Sequence, residues 1–182
     1  MEMLKKIWQF SYETGKTILV SLAVVLLIRT FVVQPFYVRG ASMEPNFEDG
    51  EYLIINEIDY RLEEPQRGDV IVFRYPLDPS EYFIKRIVGL PGDVIEIDRG
   101  QITINGKKME EPYLDLYLET YGKVHISLGP DEFYVLGDNR SASSDSRRWG
   151  VLPRRNIIGK VWLRGWPPAR IGVISDSGPV LR

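Results

Sequence analysis

Residues Thr17 to Val33 read Thr-Ile-Leu-Val-Ser-Leu-Ala-Val-Val-Leu-Leu-Ile-Arg-Thr-Phe-Val-Val. This run of 17 residues is interrupted by one charge, Arg29. It reaches the lower end of the roughly 17–25 residues that span a bilayer as a helix. Arg29 lies near its C-terminal end, where a long stem can carry the guanidinium to the interface. Lys5, Lys6 and Lys16 precede the run. Cations on a short leading tail place the N-terminus in the cytoplasm and residues after about 35 outside. The reading predicts three parts: a cytoplasmic tail over 1–16, a transmembrane anchor over 17–34, and an extracytoplasmic domain over 35–182. A cleaved signal peptide needs small residues at its cut. The candidate, Arg39-Gly40-Ala41, puts an arginine three residues before it. Ala169–Ile174 is too short for a second span.

Composition narrows the chemistry. With 23 Lys and Arg against 25 Asp and Glu, the net charge is -2, and the basic footprint of a nucleic-acid binder is missing. There is no cysteine, which removes disulfides, thiolate zinc sites and cysteine nucleophiles. The single histidine, His125, argues against a histidine-built metal site, and a Ser-His-Asp triad would have to use that one ring. His125 sits in the alternating run Lys123–Leu128 and reads as a polar, outward strand position. A hydrolase with this composition needs another base, and neither a metal nor a cofactor is expected.

From Phe36 onward the chain reads as β. Tyr52–Asn56, Asp69–Tyr75, Tyr82–Val88, Val94–Ile97, Gln101–Ile104, Phe133–Leu136 and Ile157–Trp162 are short runs rich in Val, Ile, Tyr and Phe. Asn105-Gly106 is a two-residue hairpin signal, because both positions tolerate positive φ. Pro91-Gly92-Asp93 marks another turn. The predicted fold class is mainly β: an antiparallel, barrel-like set of twisted sheets behind one N-terminal helix. Pro76–Glu81 is expected to be a loop. Glu110–Tyr121, acidic but carrying Tyr113, Leu114, Leu116, Tyr117, Leu118 and Tyr121, is expected to cap the core, with lipid contact as the alternative.

Three patches carry candidate chemistry. Ser42 follows Gly40-Ala41 and is the ninth residue after the apolar run, so it could meet a chain that is itself leaving the bilayer. Small residues before it let a substrate backbone approach. In Tyr82–Val88, Lys85 shares one face with Phe83 and Ile87. An ammonium among apolar neighbours loses hydration and its pKa falls, leaving a neutral amine as a general base. Arginine is too basic for this role. An ion pair at a strand edge is the plainer use of such a lysine. The third patch, Gly137–Arg147, is a polar loop. An Asp/Arg pair can pin such a loop, and its interleaved arginines argue against calcium.

Taken together, these patches resemble bacterial type I signal peptidases. The resemblance runs from Gly40-Ala41-Ser42-Met43-Glu44-Pro45 through Arg67–Phe73 and Phe83–Asp93. It ends in Gly137-Asp138-Asn139-Arg140 followed by Ser143, Asp145, Ser146 and Arg147. It implies a membrane-bound serine endopeptidase that removes signal peptides from exported preproteins, its catalytic part a barrel-like set of antiparallel sheets. It implies Ser42 as nucleophile and Lys85 as base, Ser143 orienting the lysine, and Asp145 with Arg147 steadying the loop. Phe36, Val38, Met43 and Ile84 would line shallow pockets for the small residues before the cut. The implied partners are preproteins and the bilayer. Gly40 stands where some members carry a serine whose hydroxyl helps bind the oxyanion. Asn46-Phe47 and Ser141-Ala142 also depart from the usual pattern. A self-cleaving repressor with a Ser-Lys pair, and a membrane-tethered β domain that binds exported chains without cutting them, are the rival readings.

Overall fold

The computed structural model describes residues 1–31, 33–114, 119–174 and 180–181. One long helix, α1 (Glu2–Phe31), precedes the strands β1 (Val33–Tyr37), β2 (Tyr52–Asn56), β3 (Val70–Tyr75) and β4 (Asp78–Gly89). Next come β5 (Val94–Asp98), β6 (Gln101–Ile104), β7 (Lys107–Glu110), β8 (Val124–Ser127) and β9 (Glu132–Leu136). The chain ends with β10 (Leu152–Pro153), β11 (Ile157–Trp166), β12 (Gly172–Val173) and β13 (Val180–Leu181). Two short helices, α2 (Asp59–Leu62) and α3 (Ser146–Trp149), interrupt them.

α1 runs on from Glu2 to Phe31, so it holds nearly all of the expected tail together with the apolar run as far as Phe31, and Val33 begins β1. Among the described residues, no helix is long and apolar enough to cross a membrane. The first half of α1 carries Lys5, Lys6, Glu13 and Lys16, and the side chains of residues 26–33 lie outside those described. Along the described part of the apolar run, Ile18, Leu19, Val20, Leu22, Val24 and Val25 are all exposed.

The strands form two antiparallel sheets. One runs β1-β2-β11-β3-β4-β9-β10, with β12 beside β11; the other runs β13-β7-β6-β5-β8. Alternation decides what each face packs against. In β3, Val70 and Val72 join a cluster with Val38, Met43, Phe47, Leu53, Ile55 and Val161. Ile71 and Phe73, on the other face, join Ile87, Phe133, Val135, Leu152 and Ile157. The smaller sheet presents Ile95, Ile97, Ile102, Ile104 and Met109 to Val88, Tyr134 and Leu136. Gly89 sits where they meet, and an added Cβ would lie 2.2 Å from Ile95 Cδ1.

The Asn105-Gly106 turn has φ of 53° and 76° and closes β6 onto β7 with Ile104 opposite Lys107. His125 stands exposed on β8, its Nδ1 3.0 Å from Glu96 Oε1. Two expectations change. Pro76–Glu81 is not a loop, since Tyr75 pairs with Asp78 across a two-residue turn and the rest belongs to β4. Residues 78–82 are exposed throughout, so no buried face marks them as strand. The larger sheet is also not a closed barrel: among the described residues β1 and β10 end the order unpaired with each other. It curls far enough to bring Phe36 of β1 within 5.6 Å of Tyr82 of β4, ring to ring. Residues of both strands, Phe36 and Tyr37 from β1 and Tyr82 to Lys85 from β4, line one cleft, a slot beside this contact. In the Glu110–Tyr121 segment, Tyr113 lies under the Arg86 guanidinium at 4.0 Å, Tyr121 is exposed, and Leu116, Tyr117 and Leu118 lie outside the described residues.

Candidate active site

β1 leads directly to the serine. After Tyr37 the chain continues beside 50–51, where Val38 N–H donates to Glu51 O at 2.8 Å and Gly50 N–H to Val38 O at 3.0 Å. Gly40 then turns it at φ +85°, a region that favours glycine, and its N–H donates to Asp49 Oδ1 at 2.7 Å. From the other side, Asn139 N–H donates to the Ser42 carbonyl at 3.1 Å. Gly137 must be glycine for this approach: a Cβ there would sit 2.4 Å from Ser42 O and 2.2 Å from Ser143 Oγ.

Lys85 comes from the middle of β4, where the strand passes from exposed to buried. Its Nζ is 2.7 Å from Ser42 Oγ and donates to Ile84 O, also at 2.7 Å. The residue is 3% exposed, and its Nζ lies 5.5 Å from the centre of the Phe83 ring. Burial lowers the amine from 10.5 to about 8, against the opposing pull of Asp145 and Asp138. The two residues are 43 positions apart, and the fold alone joins them.

Asp145 is fully buried. It takes two bonds from Arg147, Nε to Oδ1 and Nη2 to Oδ2, each 2.8 Å, and a third from Gly137 N–H at 3.1 Å. Burial alone would raise its pKa. The Arg147 guanidinium, the Gly137 N–H and Ser143 outweigh that and hold the carboxyl below its ordinary value. Arg147 also donates to Arg140 O at 2.6 Å, so the pair ties both ends of the 140–147 loop together. Ser143 is buried against Gly137, and its Oγ has no partner within hydrogen-bond geometry, although it faces Asp145 closely enough to affect it. The Lys85 amine bonds to Ser42 and Ile84 rather than to Ser143.

A cleft of about 390 Å³ opens over the pair, lined by Phe36, Val38, Gly40, Ser42, Ile84 and Lys85 among others. Met43 does not line it. It is 1% exposed and packs in the core behind Ser42 with Val38, Phe47 and Leu53. Sequence reasoning passed over Arg86 and Asp138. Arg86 donates Nε to Oδ1 at 2.9 Å and Nη2 to Oδ2 at 2.7 Å, and Nη1 to Gly68 O at 2.9 Å. Asn46 Nδ2 bonds Asp138 and the Tyr113 carbonyl, each at 2.9 Å. The available signal was Arg86 beside Lys85 on the second apolar face of the strand, because a buried guanidinium demands a carboxylate. Among the described residues, no group of acidic or histidine side chains could hold a metal ion.

A hydroxyl facing a buried amine, at the floor of a cleft open to an extended chain, is an arrangement suited to a serine peptidase with an amine base. Residues 11–166 match the family model described as signal peptidase, peptidase S26. The chain is 42% identical over 175 residues to signal peptidase I of Leptolyngbya laminosa, covering 92% of this chain and 84% of that one. It is 40% identical over 172 residues to a Synechocystis protein named "Probable signal peptidase I-2", covering 91% and 78%. Signal peptidase IB of Staphylococcus aureus is 32% identical over 168 residues, covering 83% and 87%. A crystal structure of a signal peptidase I from Enterococcus faecalis V583 aligns with 54% of this chain and 97% of that one, at 27% identity and TM-score 0.48. The chain belongs to the S26 family of signal peptidases and is a serine peptidase that removes signal peptides.

Proposed function

We propose that the cut is made by Ser42 as nucleophile and Lys85 as general base, on N-terminal signal peptides of exported preproteins. The observation that carries this is the 2.7 Å contact between Ser42 Oγ and an amine that is 3% exposed. An amine near 8 has a useful neutral fraction at ordinary pH and is still basic enough to take a hydroxyl proton in the transition state. Neutral Lys85 accepts the proton from Ser42 Oγ as the oxygen bonds to the scissile carbonyl carbon. The Ile84 carbonyl takes one amine N–H and so aims the lone pair at the serine.

The Ser42 backbone N–H, which has no acceptor among the described residues, stabilises the oxyanion. Gly40 supplies no hydroxyl for this. Collapse of the intermediate transfers the Lys85 proton to the leaving amine of the mature chain and leaves an ester on Ser42. Lys85 then takes a proton from water, the water oxygen attacks the ester, and Ser42 recovers its hydroxyl. Asp145 and Arg147 hold the loop that carries Ser143 against the back of the site, and the Ile84 carbonyl orients the amine.

The substrate lies in the slot between β1 and the first half of β4. These strands run in the same direction toward the pair, and each has a ladder partner on one side only among the described residues. An extended chain added there gains main-chain hydrogen bonds on both sides. Phe36, Val38 and Ile84 then face the small residues before the cut, while Met43 supports the pocket from behind. The apolar run of α1, exposed on its described sides, tethers the peptidase in the membrane as a single-pass anchor, with the N-terminus cytoplasmic and the catalytic domain outside.

The test is cleavage of a preprotein with a small-x-small site in detergent micelles. Wild type should cut after the second small residue, and Ser42→Ala and Lys85→Ala should each lose at least about a thousandfold in kcat/KM. Equal cutting by all three would assign the chemistry elsewhere.

A further inference from the structure

The slot does not end at Tyr82. That residue also forms a wall of a second cleft of about 420 Å³, lined by Gln34, Glu57, Arg74, Arg154, Arg155 and Asn156 among others. The two clefts therefore share Tyr82 as a wall, and the second includes Gln34 near the start of β1, on the side away from Ser42. Its character is opposite to the first: three guanidinium groups face one carboxylate. Arg154 is engaged, donating Nη2 to Tyr60 O at 2.7 Å. Arg74 lies over the Tyr82 ring at 5.6 Å, and neither it nor Arg155 has a carboxylate partner among the described residues. One oxygen of Glu57, Oε1, is buried without a hydrogen-bond partner. A cleft with spare guanidinium donors is suited to the carbonyl groups of a polypeptide main chain.

We propose that this second cleft is an upstream subsite that reads the signal peptide beyond the small residues at the cut, and that it favours negative charge there. The inference rests on the substrate placement proposed above, with the residues before the cut running back from Lys85 toward Tyr82 along β4. From Lys85 back to Tyr82 the strand spans about 10 Å, so Tyr82 meets the substrate about four residues before the cut, and the second cleft meets about the fifth to seventh. There the apolar stretch of a signal peptide ends. If that stretch is helical, its last carbonyls are unpaired and carry the negative end of the helix dipole. Arg74 and Arg155 are placed to donate to those carbonyls. An acidic side chain at the same place meets the same guanidinium groups; a lysine is repelled by them.

The experiment uses the full-length enzyme in neutral detergent micelles and three preproteins that differ only at the sixth residue before the cut: Glu, Ala or Lys. Wild type should cut the Glu substrate about three- to tenfold faster than the Lys substrate in kcat/KM, the size expected for one or two exposed charge contacts. Arg74→Glu with Arg155→Glu should invert that ratio, and Arg74→Lys with Arg155→Lys should keep its sign. Arg155→Glu alone, at an exposed position, should reduce the ratio and serves if the double variant does not fold. A ratio near one in wild type, or one unchanged by the charge reversals, overturns the subsite. So does a loss on charge reversal that appears only in vesicles containing phosphatidylglycerol and is the same for all three substrates, since the cleft would then hold a lipid phosphate. If wild type cuts none of the three, the failure belongs to the assigned activity and not to the subsite.

Discussion

At the scale of single residues, the proposed base Lys85 is buried at a cost in stability. Its ordinary value of 10.5 falls to about 8 in the folded chain. Below about 8 both states hold the proton, and the folded state bears the whole desolvation cost. As pH rises from about 8 toward 10.5 the folded chain gives up this proton while the unfolded chain keeps it, so stability rises through that window and levels off above 10.5. Lys85→Met removes the buried amine while keeping a chain of similar length. It should abolish cleavage yet stabilise the domain by about 1–3 kcal/mol at pH 7, with a smaller gain at pH 10. Denaturant midpoints at the two pH values check this; a variant less stable at pH 7 would mean that burial does not set the lysine's value. In the sequence, Phe83 and Ile87 on the face of Lys85 predicted the direction of the shift. They could not show that the amine meets Ser42, because nothing local encodes a contact across 43 residues. The family resemblance implied that Met43 lines a pocket, but it turns into the core. Adjacent residues in such a tight turn point in different directions.

At the scale of elements, the 137–147 segment is the least replaceable part of the site. Gly137 lets the backbone pass between Ser42 O and Ser143 Oγ, the Asn139 N–H holds the Ser42 carbonyl, and the Asp145–Arg147 pair fixes the far end. Gly137→Ala forces these groups apart. It should cost about 1–3 kcal/mol in stability and about a hundredfold or more in kcat, because a shift near 1 Å at the nucleophile costs that much. Thermal melts and single-turnover cleavage check both numbers. Equal loss in stability and none in rate would show that the loop does not position Ser42. Where a strand buries one face or lies between tight turns, the sequence was readable: Tyr52–Asn56 and Gln101–Ile104 have the bounds expected of them. The exposed start of β4 over 78–81 was not readable as strand, since these residues have no buried face and join the ladder beside β3.

At the scale of the whole molecule, the open sheet, the slot and the long helix make one arrangement. β11 inserts between β2 and β3 from about 100 residues away in sequence. Such nonlocal pairing cannot be read from periodicity, which is why the class of fold was legible and the strand order was not. That order leaves β1 and the first half of β4 each with one edge unpaired among the described residues, and it brings the hydroxyl and the amine to one end of the slot. Everything assigned to the slot depends on Lys85 being neutral when it meets Ser42. The most direct measurement is kcat/KM on one preprotein from pH 5.5 to 10, for wild type and for Lys85→Arg. The account predicts a single rise with pH and a midpoint near 8, about a hundredfold lower activity two units below it, and no cleavage by the arginine variant at any pH. A flat profile from pH 6 to 9, or an active Lys85→Arg enzyme, would contradict it.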